Sequence, residues 1–273
     1  MAHLLVFGPG YTAGRLIAAV AARGWTVDTI GRSTIDDVAG VAARIGRATH
    51  IVSSVPPAGD ADPVLERHRP ALARASAWIG YLSSTGVYGD AGGAWVDETA
   101  PTGRGRRTAR TQADADWLAL GARVFRLPGI YGPGRSPLDR VRDGSAHRVD
   151  SPGQVFSRVH VDDIVAGVLA GFDGPAGAYN LADDLPAAQN EVISYAAALL
   201  GLPPPPIVPL DTLSPMARGF YAENRRVANG KAKRLLGWAP RHPDYRAGLR
   251  ALSAATSPAS ASVPPAAAVQ VQR

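Results

Sequence analysis

The chain has no cysteine among its 273 residues. That excludes disulfides, thiolate nucleophiles and cysteine-ligated metal centres, and it fits a reducing, cytoplasmic setting. Lysine is nearly missing too: of 29 basic residues only Lys231 and Lys233 are lysines. Long apolar runs are lacking, and no stretch approaches the roughly 20 residues of a membrane span. The opening MAHLLVFGPGYTAGRL has no basic flank and breaks at Gly8-Pro9-Gly10, so it reads as a buried strand rather than a signal peptide. The six histidines are scattered without paired ligand spacing, so no metal site is expected.

What the chain does have is arginine. The net charge is +6, but the basic residues are spread along the whole length. An arginine-for-lysine bias of this kind looks like GC-rich coding as much as function. With no recognised binding motif, a nucleic-acid partner is not expected. A hydrophobic share of 46% and a charged share of 19% suit a globular protein with a substantial core.

Apolar strand-like runs alternate with helical ones: HLLVFG, AGRLIAAVAARG, WTVDTIG, DDVAGVAARIG, THIVSSV, a helix near 63–77, WIGYLSS, TQADADWLALG and RVFRLPGIYG. That alternation means an α/β fold with a parallel sheet covered on both faces. Beyond about residue 135 the pattern loosens. SRVHVDDIVAGVLAGF reads as a short strand feeding a helix capped near Asp162 or Asp163. AYNLADD reads as a strand, NEVISYAAALLG as a helix stopped by Gly201, and Pro203–Pro206 as an extended connector. One domain over 1–253 is expected, followed by an Ala/Pro/Ser-rich disordered tail over 254–273.

The loop GPGYTAG fits G-x-G-x-x-A between a strand and a helix. Gly8 makes the tight turn, Gly10 lets backbone approach a pyrophosphate, and Ala13 lets the helix lie close to the strand. Helix N–H groups then face the anion. Tyr11 and Thr12 in this loop, with Ser53 and Ser54 after the third strand, complete the expected dinucleotide contacts. An NAD site wants an acid at the end of the second strand for the ribose 2′-hydroxyl. Asp28 sits about three residues too early, and the strand ends in Gly31-Arg32-Ser33. Arg32 and Ser33 suit a 2′-phosphate, which favours NADP over NAD.

Further segments follow in order: SSTGVYGD, DETAP, RLPGIYGPGR, SRVHVDDI, YNLADD and AKRLLGWAPR. With the glycine loop they resemble the extended short-chain dehydrogenase/reductase superfamily, of the NAD(P)-dependent epimerase/dehydratase type, over roughly 2–250. The resemblance implies a Rossmann-type doubly wound parallel sheet, a small C-terminal substrate lobe over roughly 135–253, and a cleft between them. It implies a structural role for HVDD (His160, Asp162, Asp163). It also implies a Ser/Thr that holds the substrate oxygen, matched by Ser84 with Thr85 adjacent. The alternative for these hydroxyls is satisfaction of backbone groups at a strand end.

The family's Tyr-x-x-x-Lys dyad is absent, because neither lysine lies four residues after a tyrosine. Taking Asp114 as the acid that follows the dyad by one turn puts Arg106 and Arg110 at the dyad positions, whereas a register on Asp116 puts Thr108 and Gln112 there. Arginine stays protonated and cannot exchange a proton, but it can replace the lysine's charge or clamp an anion. Arg104 and Arg107, in the same run, read as a solvated helix start, and the alternative for Arg106 and Arg110 is that they belong to it too. Tyr131 is a weaker candidate for a substitute proton donor, with Tyr88 and Arg135 expected near the cleft mouth. Two functions follow: an NAD(P)-dependent oxidoreductase or epimerase of a small polar, anionic substrate, or a non-catalytic NADP(H)-binding sensor.

Overall fold

A computed structural model describes residues 2–105 and 108–256. Arg106, Arg107 and residues 257–273 of the expected tail lie outside the described residues. Its centre is a parallel sheet of six strands. The first four are β1 (His3–Phe7), β2 (Thr26–Ile30), β3 (His50–Ser53) and β4 (Trp78–Ser84), joined by the strands Arg123–Leu127 and Gly177–Asn180. Across the sheet the order is Gly177–Asn180, Arg123–Leu127, β4, β3, β1, β2. The chain therefore leaves β1 for β2 on one side and returns to β3 on the other. Such a reversal opens a crevice at the carboxyl ends of the strands.

The continuous apolar strands follow from burial on both faces. In β1, Leu4 and Val6 point to one core with Ala13, Leu16 and Ile164, while Leu5 and Phe7 point to the other with Tyr81, Trp117 and Val124. Four helices cross between the early strands: α1 (Tyr11–Ala21), α2 (Val38–Arg47), α3 (Pro63–Ala73) and α4 (Thr108–Ala119). Asp62 caps α3 by accepting from Val64 and Leu65 N–H and also accepts the Trp117 indole N–H at 2.9 Å. That tie, with Tyr81 stacked on Trp117, fixes α4 beside β4.

The C-terminal part adds α5 (Pro137–Arg142), α6 (Val161–Ala170), α7 (Gln189–Leu199), α8 (Pro215–Tyr221), α9 (Gly230–Leu236) and α10 (Tyr245–Thr256). Leu138, Val141, Val192, Ile193, Ala196 and Leu249 form a separate small core. Gly201 ends α7 with a φ of +66°, the conformation expected of it. Pro205 and Pro206 carbonyls bond Arg148, so the proline connector runs as an edge beside the strand Arg148–Val149. Among the described residues no helix is long and apolar enough to cross a membrane.

Local boundaries differ from the sequence reading in four places. Helix α6 is capped by His160, whose Nδ1 accepts Asp162 N–H, and Asp162 and Asp163 lie inside its first turn. Burial lowers the His160 pKa, which keeps Nδ1 free to accept. Pro128 splits RVFRLPGIYG into Arg123–Leu127 and a second strand, Gly129–Tyr131, which pairs with Arg158–His160. Helix α4 begins three residues early, at Thr108, so Arg110 is already helical. Helix α10 runs to Thr256, past the 254 boundary of the expected tail.

Among the described residues one buried acid is poorly paired. Both carboxyl oxygens of Asp183 meet no donor in hydrogen-bonding geometry. Burial pushes its pKa up to about 8, although Arg158 and the Leu185 N–H pull the other way. The folded state thus holds a proton that the unfolded chain releases near pH 4. Stability from this group is complete below that value and is lost as pH rises through 8. Asp183→Asn should therefore raise stability at pH 8 relative to pH 5 by about 1–3 kcal/mol, read from thermal unfolding at both pH values.

Candidate functional site

The glycine loop is built to receive an anion. Gly8 has a φ of +75°, and a Cβ there would sit 2.9 Å from the Val55 side chain. Open space lies over Gly10, where a Cβ would meet nothing within 4 Å. Gly10 caps α1 without a side chain, and no acid occupies the first turn. The leading N–H groups of α1 therefore face outward under a partial positive charge. Ala13 is fully buried against the sheet, as close helix packing requires. These features fit a dinucleotide pyrophosphate.

At the end of β4 lies a buried polar network. Asp114 on α4 takes two hydrogen bonds from Arg126, at 2.7 and 3.1 Å, and a third from the Ser83 hydroxyl at 2.6 Å. Arg126 also donates to the Tyr88 hydroxyl, which donates in turn to Asn180 Oδ1. Asn180 N–H reaches Glu98. Burial alone would lower the Arg126 pKa, but Asp114 and Tyr88 overturn that and hold it above its ordinary value. Burial pushes the Tyr88 phenol up. Every group here is engaged, so the network is a rigid floor.

Above it opens a cleft of about 990 Å³. Its lining unites Gly10, Tyr11, Thr12 and Ser54 with Ser84, Thr85 and Arg110. Ser84 Oγ accepts Gly86 N–H at 3.1 Å, so its proton can still be donated elsewhere. Arg110 is half-buried, one turn before Asp114, and makes no ion pair among the described residues. The described lining holds five arginines, Arg110, Arg135, Arg140, Arg158 and Arg225, against a single acid, Glu223. Glu223 pairs with Arg225 at 2.9 Å. The field in the cleft is positive.

Of the remaining expected residues, Arg135 lies in this cleft and the others fall around it. Gly8 and Ala13 support the loop from beneath. Ser53 is fully buried, with its hydroxyl near Val55 N–H. Arg32 and Ser33 are exposed on the turn after β2 and do not line the cleft. Asp28 is engaged by Arg47 at 2.6 Å and by His3, and it does not line the cleft. Asp36 pairs with Arg67, and Asp37 caps α2. Arg135 lines the cleft beside the Tyr11 ring, and Tyr88 lies in the floor. Tyr131 is a packing residue: it is buried edge-on against His160, outside the cleft lining, and burial raises its pKa.

The sequence reading missed the Asp114–Arg126 pair, although an arginine inside an apolar parallel strand was its signal, since such a charge must be paired. It also missed the wall contributed by α8. No pattern announced that wall.

His160, Asp163 and His242 bring ligand atoms within 4.8 Å of one another. The Asp163 carboxylate, His242 Nδ1 and His160 Nδ1 are already engaged, whereas His160 Nε2 has no hydrogen-bond partner among the described residues. Asp163 accepts Arg241 N–H, His242 N–H and His242 Nδ1, and His160 Nδ1 accepts Asp162 N–H. The trio clasps the start of α6 to the segment at 241–242.

Because Asp114 neutralises a fully buried guanidinium, Asp114→Ala should lower stability by about 3–5 kcal/mol in urea unfolding. The double variant Asp114→Leu/Arg126→Met, which removes both charges, should recover most of that loss.

No family model matches the chain. A functionally unknown conserved protein from Silicibacter pomeroyi is 42% identical, with 93% of this chain and 99% of that chain covered and a TM-score of 0.82. A 3-diazoavenalumate denitrifying reductase from a Streptomyces species is 32% identical over 158 residues, and the match spans only 52% of each protein. The fold recurs in dTDP-glucose 4,6-dehydratase from Bacillus anthracis in complex with NAD, at 16% identity, 93% and 96% coverage and a TM-score of 0.74. It recurs in the human epimerase family protein SDR39U1 with NADPH, at 16% identity, 92% and 99% coverage and a TM-score of 0.74. The chain belongs to one family with the Silicibacter pomeroyi protein, and its fold is that of the extended short-chain dehydrogenase/reductases of the epimerase/dehydratase type.

Proposed function

We propose that this protein is an NADP(H)-dependent oxidoreductase, epimerase/dehydratase-like in kind, acting on a small anionic molecule without the usual Tyr/Lys dyad. The observation that carries the reading is one cleft lined at once by the glycine loop, the hydroxyls after β4 and the free charge of Arg110. Bound at the loop, a nicotinamide cofactor supplies or accepts a hydride. The α1 N-terminus holds its pyrophosphate. Ser84, with Thr85 beside it, donates a hydrogen bond to the reacting oxygen of the substrate. Arg110 fixes the substrate's anionic group and, being permanently protonated, takes no part in proton exchange. Any proton the reaction needs then comes from a hydroxyl, from water or from the substrate. The Streptomyces relative is named a reductase, which supports the reductive direction. The partner is a small molecule, with neither nucleic acid nor membrane involved, and the cysteine-free composition supports a cytoplasmic setting.

NADP is favoured over NAD because every acid from β2 to the start of α2 is already engaged, while Arg32 and Ser33 stand exposed beyond the strand end. NADPH should bind roughly 10–100-fold more tightly than NADH, about 1.4 kcal/mol per decade. Arg32→Ala should remove most of that difference and leave NADH binding nearly unchanged. Calorimetry showing equal affinities or an NADH preference would overturn the assignment.

Arg110→Ala should weaken binding of an anionic ligand by about 1.5–3 kcal/mol, the scale of a charged hydrogen bond. Arg104→Ala, outside the cleft lining, should change it little. Titration with small carboxylates and phosphates in the presence of NADP⁺ reads both. The missing dyad favours a second reading, a non-catalytic NADP(H) sensor. NADPH that binds tightly yet is never oxidised with any member of that panel would select it.

A further inference from the structure

The outer wall of the cleft is apolar. Helix α8 has no buried residue. Its Met216 is 70% exposed and its Phe220 54% exposed, although side chains of this kind normally seek cover. Both line the cleft, together with Leu213 and Ala217. From the lobe, Phe156 joins them, set edge-on against Tyr221 at 5.3 Å. The apolar surface is therefore turned toward the ligand space.

The same cleft carries positive charge without anions to match. Arg110, Arg135 and Arg140 form no ion pair among the described residues, and Glu223 is taken by Arg225. A ligand that satisfies both features has an anionic head and an apolar body. The body should be flat: aromatic edges and faces pack well against phenyl rings, and methionine adapts to an aromatic surface. A polyhydroxylated sugar would find no hydrogen-bonding group on Met216, Ala217 or Phe220.

The geometry points to an aromatic or conjugated organic anion as the substrate class, its carboxylate or phosphate head on Arg110 and Arg135 and its ring against Leu213, Met216, Phe220 and Phe156. This deepens the oxidoreductase reading and rests on the same cleft being the substrate site.

The test is calorimetric titration of the full chain, with and without NADP⁺, using 4-hydroxycinnamate, phenyl phosphate, acetate and UDP-glucose. At least one aromatic anion should bind tenfold or more tightly than acetate and more tightly than UDP-glucose. The tighter of the two aromatic anions identifies the head group. The double variant Met216→Ser/Phe220→Ser alters two exposed side chains outside the core. It should weaken the aromatic anion at least tenfold and leave NADPH affinity unchanged. Tighter binding of UDP-glucose, no preference over acetate, or an aromatic-anion affinity indifferent to the double substitution would overturn the inference. If NADPH fails to bind while the aromatic anion binds and responds to the substitutions, the oxidoreductase reading falls and the ligand class stands.

Discussion

The buried contact between Asp114 and Arg126 is the constraint on which the site rests. A guanidinium in the middle of a parallel sheet is tolerable only with a carboxylate against it, and the carboxylate has to come from a helix on the sheet's face. That requirement sets the rotation of α4 about its axis. Once Asp114 faces inward, Arg110 follows one turn earlier on the same side and enters the cleft. Ser83 is held by the same carboxylate, which steadies the strand end that presents Ser84 and Thr85. Position in the cleft is thus inherited from a pair that lies outside the cleft lining.

The network also accounts for a departure from the usual family chemistry. A Tyr/Lys dyad on this helix would place an ionisable phenol and an amine beside the nicotinamide. Here the helix offers Arg110 instead, a charge that cannot be switched off. Fixed charge suits holding and orienting an anion. It does not suit shuttling protons.

Much of the fold was legible in the sequence because its signals are local. Apolar strands, helix periodicity, the glycine loop and the stop at Gly201 each act within a few residues, and the six-stranded sheet follows from them. The cap of α6 was misplaced because His160 competes with aspartate for that role only when burial keeps its imidazole neutral, a tertiary effect. The floor of the site was half legible: Asp114 stood out by spacing, but Arg126 was read as part of a strand and nothing more. The wall was not legible at all. Leu213, Met216 and Phe220 gain their meaning from facing a cleft assembled by residues far away in the chain.

Helix α8 lends nothing to either core of the sheet or to that of the lobe. Its exposed side chains can therefore change at less cost to the stability of the domain than those of the floor. Selection can work on such a segment almost independently of folding. A scaffold with a rigid base and a rim outside the cores can acquire new ligands through a few surface replacements.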